Sequence, residues 1–258
     1  MLNTLKPLFL VACLFLISPL FSQTGHEAGI FTGPVQMRSD FGLRGDTDTN
    51  LGNIGFGIGV FYALNPMDWG SGYRRNGSKL FDHFKIRLDA AYNKTNLKHY
   101  GKYVEPDQVS ENADKLRAQR GVAQNIDLGF NFEIYPFSLK NFHYRFFSFS
   151  PYFLLGGHAV YASPDASTTY GDQDITNPDN FFGPWAPGSI DTTSFYTFSV
   201  VTGAGVRYKV SDYSDFLFEV KWQFFNSDWV DGLNHQLDYN KHNDSMIWLN
   251  FGYVYYIN

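Results

Sequence analysis

Few of the residues that could do chemistry stand at spacings that would let them do it. The seven histidines, at positions 26, 83, 99, 143, 158, 235 and 242, show no metal-ligand spacing. His235, His242, Asp244 and Ser245 hold the residue types of a hydrolytic set. Loop residues of these types are ordinarily just solvated, so no catalytic, cofactor or metal residue is assigned. Asp46-Thr-Asp48-Thr-Asn50-Leu-Gly52 alternates oxygen ligands as a calcium loop does. Leu51 stands where the glycine of such a loop belongs and no glutamate closes it, which leaves a polar loop. The chemistry that does repeat is ionic. Lys85, Arg87, Asp89, Asp127, Glu133, Arg207, Lys209, Asp215, Glu219 and Lys221 make five charges of each sign, all at alternating positions of extended stretches.

Those stretches are the elements that must hold the charges. In Ser214–Phe225 the even positions Phe216, Phe218, Val220, Trp222 and Phe224 are apolar, with Asp215, Glu219, Lys221 and Gln223 among the odd ones. Val122, Ile126, Leu128, Phe130, Phe132 and Ile134 alternate in the same way with Asn125, Asp127, Asn131 and Glu133. Tyr196, Phe198, Val200, Val206 and Tyr208 oppose Thr197, Ser199, Gly203, Gly205, Arg207 and Lys209, and Phe84, Ile86, Leu88 and Tyr92 oppose Lys85, Arg87, Asp89 and Asn93. A period of two predicts strands with two unlike faces. Eight follow, over about 27–38, 53–64, 82–95, 121–136, 147–161, 194–210, 214–226 and 246–257, the first and fifth bent or bulged where Gly and Pro interrupt them. Long links after the third, fifth and seventh strands alternate with shorter ones, as in bacterial outer-membrane barrels. The fold class expected is all-β: a closed eight-stranded antiparallel transmembrane barrel.

A lumen of that size has room only for its own side chains. Ten balanced charges therefore read as a paired lumen network and not as a conduit. Lys209 and Asp215 face each other across the turn at Ser211–Tyr213, and are expected to form one such buried pair.

Composition agrees with the barrel. Aromatic residues make up 19% of the chain, there are 24 glycines, and no apolar run past the N-terminus has the ~20 residues of a helical span. A net charge of −5 speaks against a nucleic-acid partner. Residues 1–22 read as a cleaved signal peptide, with Lys6 in the n-region, Leu8 to Phe21 apolar and Ser22 at the cut, which leaves 23–258 as the barrel domain. Leu10-Val11-Ala12-Cys13 also fits a lipoprotein box, but with an apolar region too short before it. The destination is the cell outer membrane, with the lipid bilayer and the barrel-assembly machinery as partners. Asn250, Gly252, Tyr255 and Ile257, within Asn250-Phe-Gly-Tyr-Val-Tyr-Tyr-Ile257, match the polar-x-Gly-x-x-aromatic-x-apolar assembly signal of such barrels.

His26-Glu27-Ala-Gly29-Ile-Phe31-Thr-Gly33 resembles the opening of the PorG-like barrels of Bacteroidetes. Phe149-Ser-Pro151-Tyr152 is similar to their Thr-Pro-Tyr strand, Gly203-Ala-Gly205-Val-Arg207-Tyr208-Lys209 to their Gly-x-Gly-x-Lys-Tyr segment, and Asn226-Ser-Asp228-Trp229-Val-Asp231 to their Thr-Asp-Tyr-Leu-Asp motif. Gly232 departs from the family's second Asp, and the loops at 95–120 and 163–193 are longer. The resemblance implies a non-enzymatic component of the type-nine secretion and gliding apparatus that ties a periplasmic ring of lipoproteins to the outer membrane. Trp69, Arg74 and Arg75, in the link Pro66–Phe81, are residue types that would contact that ring, while a Trp in this place suits the membrane interface equally well. The competing class is a small OmpW- or OmpA-like barrel for hydrophobic-compound binding, transport or surface adhesion.

Overall fold

The computed structural model describes residues 25–43, 46–66, 79–143, 149–238 and 242–257. The segment read as a signal peptide lies outside the described residues, as do Trp69, Arg74 and Arg75. The strands are β1 (Gly25–Arg38), β2 (Ile54–Asn65), β3 (Phe84–Leu97), β4 (Gln119–Ile134), β5 (Phe149–Ala162), β6 (Asp165–Thr168), β7 (Phe195–Ser211), β8 (Ser214–Phe225) and β9 (Ser245–Ile257). Antiparallel pairing runs β1-β2-β3-β4-β5-β7-β8-β9, and β9 pairs back onto β1, from His26↔Ile257 to Arg38↔Ser245. The result is a closed eight-stranded barrel with no free edge in its wall, the arrangement that lets strands cross a bilayer without orphaned backbone groups. The short β6 sits outside this count and extends the sheet beside the first residues of β4.

Each of the eight wall strands begins and ends within two residues of its sequence-derived span, because a period of two is a local signal. Of the two strands expected to be bent, β1 is interrupted where expected and β5 is not. β5 pairs without interruption on β7, whereas β1 keeps its register on β9 but skips Gly33 and Pro34. Pro34 has no N–H to give to a ladder. A Cβ at Gly33 would lie 2.0 Å from the Leu249 carbonyl oxygen, so no other residue fits there. The one register shift among these ladders is at Lys209/Ser211, beside the tight turn into β8.

Both described chain ends and the links β2–β3, β4–β5 and β7–β8 lie at one end of the barrel, here the turn end. At the other, the loop end, α1 (Thr47–Asn50), α2 (Glu111–Ala118) and β6 are built into the longer links, while α3 (Leu139–His143) sits at the turn end. Ser110 caps α2 by accepting from the Ala113 N–H, and an i,i+4 pair, Glu111–Lys115, supports it. The calcium-like stretch is α1 itself. Asp46 accepts from the Asp48 N–H, and Asn50 donates to the carbonyls of Leu43 and Asp46, so those oxygens serve a helical turn.

Candidate functional site: a sealed lumen and two unlike ends

The ten charged residues picked out by alternation all point inward, and none is more than 4% exposed. They run from the turn end into the middle of the lumen, with Lys221 among those furthest toward the loops. Arg87 is their hub. It grips Asp89 with two nitrogens, at 2.6 and 3.1 Å, and reaches Glu133 at 3.1 Å and Glu219 at 2.8 Å. Lys221 lies 2.7 Å from Asp89 and 3.5 Å from Glu219. Arg207 binds Glu133 at 2.9 Å. Tyr135 and Tyr152 donate to Glu133 and Glu219 at 2.5 and 2.6 Å. Bidentate, hydroxyl-supported contacts of this kind satisfy the lone pairs that a dry ion pair would otherwise strand.

One member was missing from the sequence reading. Glu27, on β1, is 1% exposed and bridges Lys85 and Arg207, each at 2.6 Å. It makes the chain continuous: Lys85–Glu27–Arg207–Glu133–Arg87–Glu219–Lys221. Gly29 and Gly33 break the alternation of β1, so the inward face could not be read there, although Phe31, Val35 and Met37 continue it. Asp127 stands slightly apart, accepting from Asn93 at 3.0 Å and Gln223 at 2.6 Å.

Lys209 and Asp215 require a correction. They are direct cross-strand partners, but no ion pair joins them among the described residues. Arg207 competes for the acid, 4.0 Å from Asp215, and the Tyr256 hydroxyl donates to it. Lys209 instead lies over the rings of Tyr256 and Phe142, at 5.2 and 5.6 Å. Opposed Cα positions fix a face, but not which of several inward groups a flexible ammonium meets.

Toward the loops the filling changes from ions to apolar side chains. Val35, Met37, Leu97, Ala162, Val201, Phe225 and Met246 are at most 2% exposed. Above them the loops close over. Phe41 stacks on His99 at 5.0 Å, His99 meets Trp185 at 5.8 Å, and Trp185 stacks on His235 at 5.8 Å. Burial holds the His99 imidazole down to a pKa of about 4, with His235 and Arg120 adding to the effect, so the ring is neutral in this stack. A cavity of about 210 Å³ opens beside it, between Phe41, Tyr100, Tyr103, Phe182 and Trp185. The loop residues that could have formed a hydrolytic set are not gathered into one. Asp244 accepts from the Val230 N–H, His242 is exposed, and the His235 backbone N–H donates to Asp40. Among the described residues no group of three or more His, Cys, Asp or Glu is placed to hold a metal ion.

The outside of the wall is the reverse of the lumen. Phe56, Leu128, Phe153, Phe198 and Phe251 are all more than half exposed, and the turn end carries a belt of rings that includes Phe149, Tyr208, Tyr213, Phe216, Tyr253 and Tyr255. Of the expected assembly signal, Tyr255 and Ile257 face outward, while Asn250 faces inward and donates to Glu219 at 3.3 Å. Gly252 is pressed by its neighbour, where a Cβ would stand 2.6 Å from the Ile30 carbonyl oxygen.

No family model matches the chain, and no curated protein does. Among solved structures it is similar to a major outer membrane protein from Thermus thermophilus, at 12% identity over 91% of this chain and 99% of that one, with a TM-score of 0.44. It is also similar to Neisserial surface protein A, at 12% identity over 90% and 96%, TM-score 0.40. A third is OprG from Pseudomonas aeruginosa, at 11% over 91% and 95%, TM-score 0.39. These overlaps are loose and carry no functional assignment.

Proposed function

We propose that this chain is a non-enzymatic outer-membrane barrel whose duty lies at its two ends, serving as the membrane anchor of a type-nine secretion and gliding apparatus. The observation that carries the reading is the conjunction of an apolar, aromatic-belted outer wall with a lumen closed by a continuous ion network. In water, leaving so many Phe, Leu and Tyr side chains exposed would forgo roughly 1.5–3 kcal/mol each, and a lipid surround removes that penalty. A filled lumen offers no path, so contact surface is confined to loops, turns and wall.

The choice of apparatus rests on the motif resemblance at His26–Gly33, Phe149–Tyr152, Gly203–Lys209 and Asn226–Asp231. The link between β2 and β3 leaves from the turn end and carries Trp69, Arg74 and Arg75, residue types that anchor interfaces. In the proposed orientation this end faces the periplasm and a ring of lipoproteins. Affinity purification of the tagged chain from native membranes is the test. Ring subunits should co-purify, and should be lost in Trp69→Ala/Arg74→Ala while the barrel stays folded. A folded double variant that retains them overturns the docking assignment.

A second reading is favoured by one observation, the aromatic-walled cavity beneath the loops. On that reading the barrel binds a small apolar compound at its mouth. Deleting residues 170–190 would then abolish function while the turn variant left it intact.

A further inference from the structure

The charges on the outer wall are not scattered. Among the described residues of the eight wall strands, the outward positions hold no Asp or Glu, and their only Lys and Arg are Arg38, Lys94 and Arg120. All three lie at the loop end. Arg38 is occupied, its guanidinium 5.8 Å from the centre of the Trp222 ring. Lys94 and Arg120 share the β3–β4 ladder. Lys94 pairs with Gln124, and Asn96 with Val122, one alternate position further on. Arg120 is the next outward residue of β4, and exposed Lys98 follows Leu97 just beyond β3. Alternate residues of a strand stand about 6.6 Å apart, so Lys94 and Lys98 are about 13 Å apart along the line of β3, with Arg120 on the neighbouring strand near Lys98, and the three make a cationic strip above the apolar wall. Asn96 and Gln124 add neutral polar groups between them. Asp165 borders it from β6, opposite Val122, and its Oδ1 accepts from the Ala166 N–H at 2.9 Å. The Arg120 Nη1 donates to the carbonyls of Arg117 and Gln119, which props that side chain at the rim. At the turn end the corresponding belt is aromatic, with no outward Lys or Arg among the described strand residues.

We propose that this patch on the outer face of β3 and β4 binds the phosphate groups of an anionic, phosphorylated glycolipid in the leaflet on the loop side. The inference rests on the membrane reading given above. Lysine and arginine just beyond the hydrocarbon level attract lipid phosphates, and Asp165 of β6 is the one outward acid among the described strand residues that stands beside them. The cations stand at the loop end alone, so the anionic lipid they would bind lies in the leaflet on the side of the long loops. Neutral amides beside the cations provide hydrogen bonds for sugar hydroxyls or phosphate oxygens.

The test uses the full mature chain refolded into phosphatidylcholine vesicles containing one-fifth bisphosphorylated lipid A, then extracted in mild detergent. The lipid A retained per folded barrel is measured by mass spectrometry. Wild type should retain it, and Lys94→Gln/Lys98→Gln/Arg120→Gln should retain on the order of tenfold less, with the difference shrinking as ionic strength rises. Lys102→Gln/Lys140→Gln, which alters charge elsewhere, should behave as wild type. A triple variant that shifts normally on boiling yet retains as much lipid A overturns the site. Equal displacement of lipid A by millimolar inorganic phosphate would assign the patch to free phosphate and overturn the lipid assignment. A wild-type chain that fails to insert at all overturns the membrane reading, and this proposal with it, so the two failures are told apart by the boiling shift.

Discussion

At the scale of single residues, the lumen separates two kinds of charge. Glu133 is held by Arg87, Arg207 and the Tyr135 hydroxyl, so neutralising it breaks the link between two buried guanidinium groups and leaves them with Asp89, Glu219 and Glu27 alone as counter-charges. Glu133→Ala should therefore destabilise the barrel by about 3–5 kcal/mol, read from urea unfolding in vesicles by gel mobility. A cycle of Glu133→Ala with Arg207→Ala should be strongly non-additive. Lys209 lies over rings and not against a carboxylate, so Lys209→Met should cost distinctly less than Glu133→Ala, and its cycle with Asp215→Ala should be near additive. Strong coupling of Lys209 to Asp215 would restore the pair that strand alternation alone suggested. His99 gives a pH test. Its folded pKa of about 4 is below the ordinary value of 6.5, so the open loops bind the proton more readily than the closed cap. Stability of the cap is then complete above pH 6.5, falls as pH drops from 6.5 toward 4, and levels off below. Loop proteolysis should accelerate over that window in wild type and much less in His99→Phe, and a flat wild-type profile would count against a buried neutral His99.

At the scale of elements, alternation made the strands and their faces readable, and tertiary choice was not. The ten lumen charges were visible because the alternation of β3, β4, β7 and β8 is unbroken around them. Glu27 was hidden by the glycines of β1, which remove the side chains that mark a face. The short β6 was hidden inside a long polar link. The cap was invisible for a different reason: Phe41, His99, Trp185 and His235 come from four separate loops and share no local period. Closure supplies its own prediction. Gly33→Val should prevent β1 from docking on β9, since its Cβ would meet the Leu249 carbonyl. Boiling should then produce no gel shift, whereas Gly188→Ala, whose Cβ has open space although its φ is +82°, should shift normally.

At the scale of the whole molecule, the chain is a barrel turned inside out relative to a soluble protein, with ions within and rings without. Phe218 meets Phe251 edge-on at 5.2 Å in the middle of that wall, so Phe218→Arg should cost about 2–4 kcal/mol in a bilayer. The same change on a soluble sandwich would improve its surface. The sole cysteine of the chain is Cys13, so the chain from residue 23 onward accepts single cysteine labels without background. The most direct test labels Leu217, Phe218, Val220 and Gln223, each replaced by cysteine, with one fluorophore in vesicles, and compares a lipid-borne quencher with a water-soluble one. Strong lipid quenching is expected at 218 and 220, and protection from both quenchers at 217 and 223. Aqueous quenching at 217 and 223 would mean an open lumen, and lipid quenching that fails to alternate would contradict the barrel wall itself.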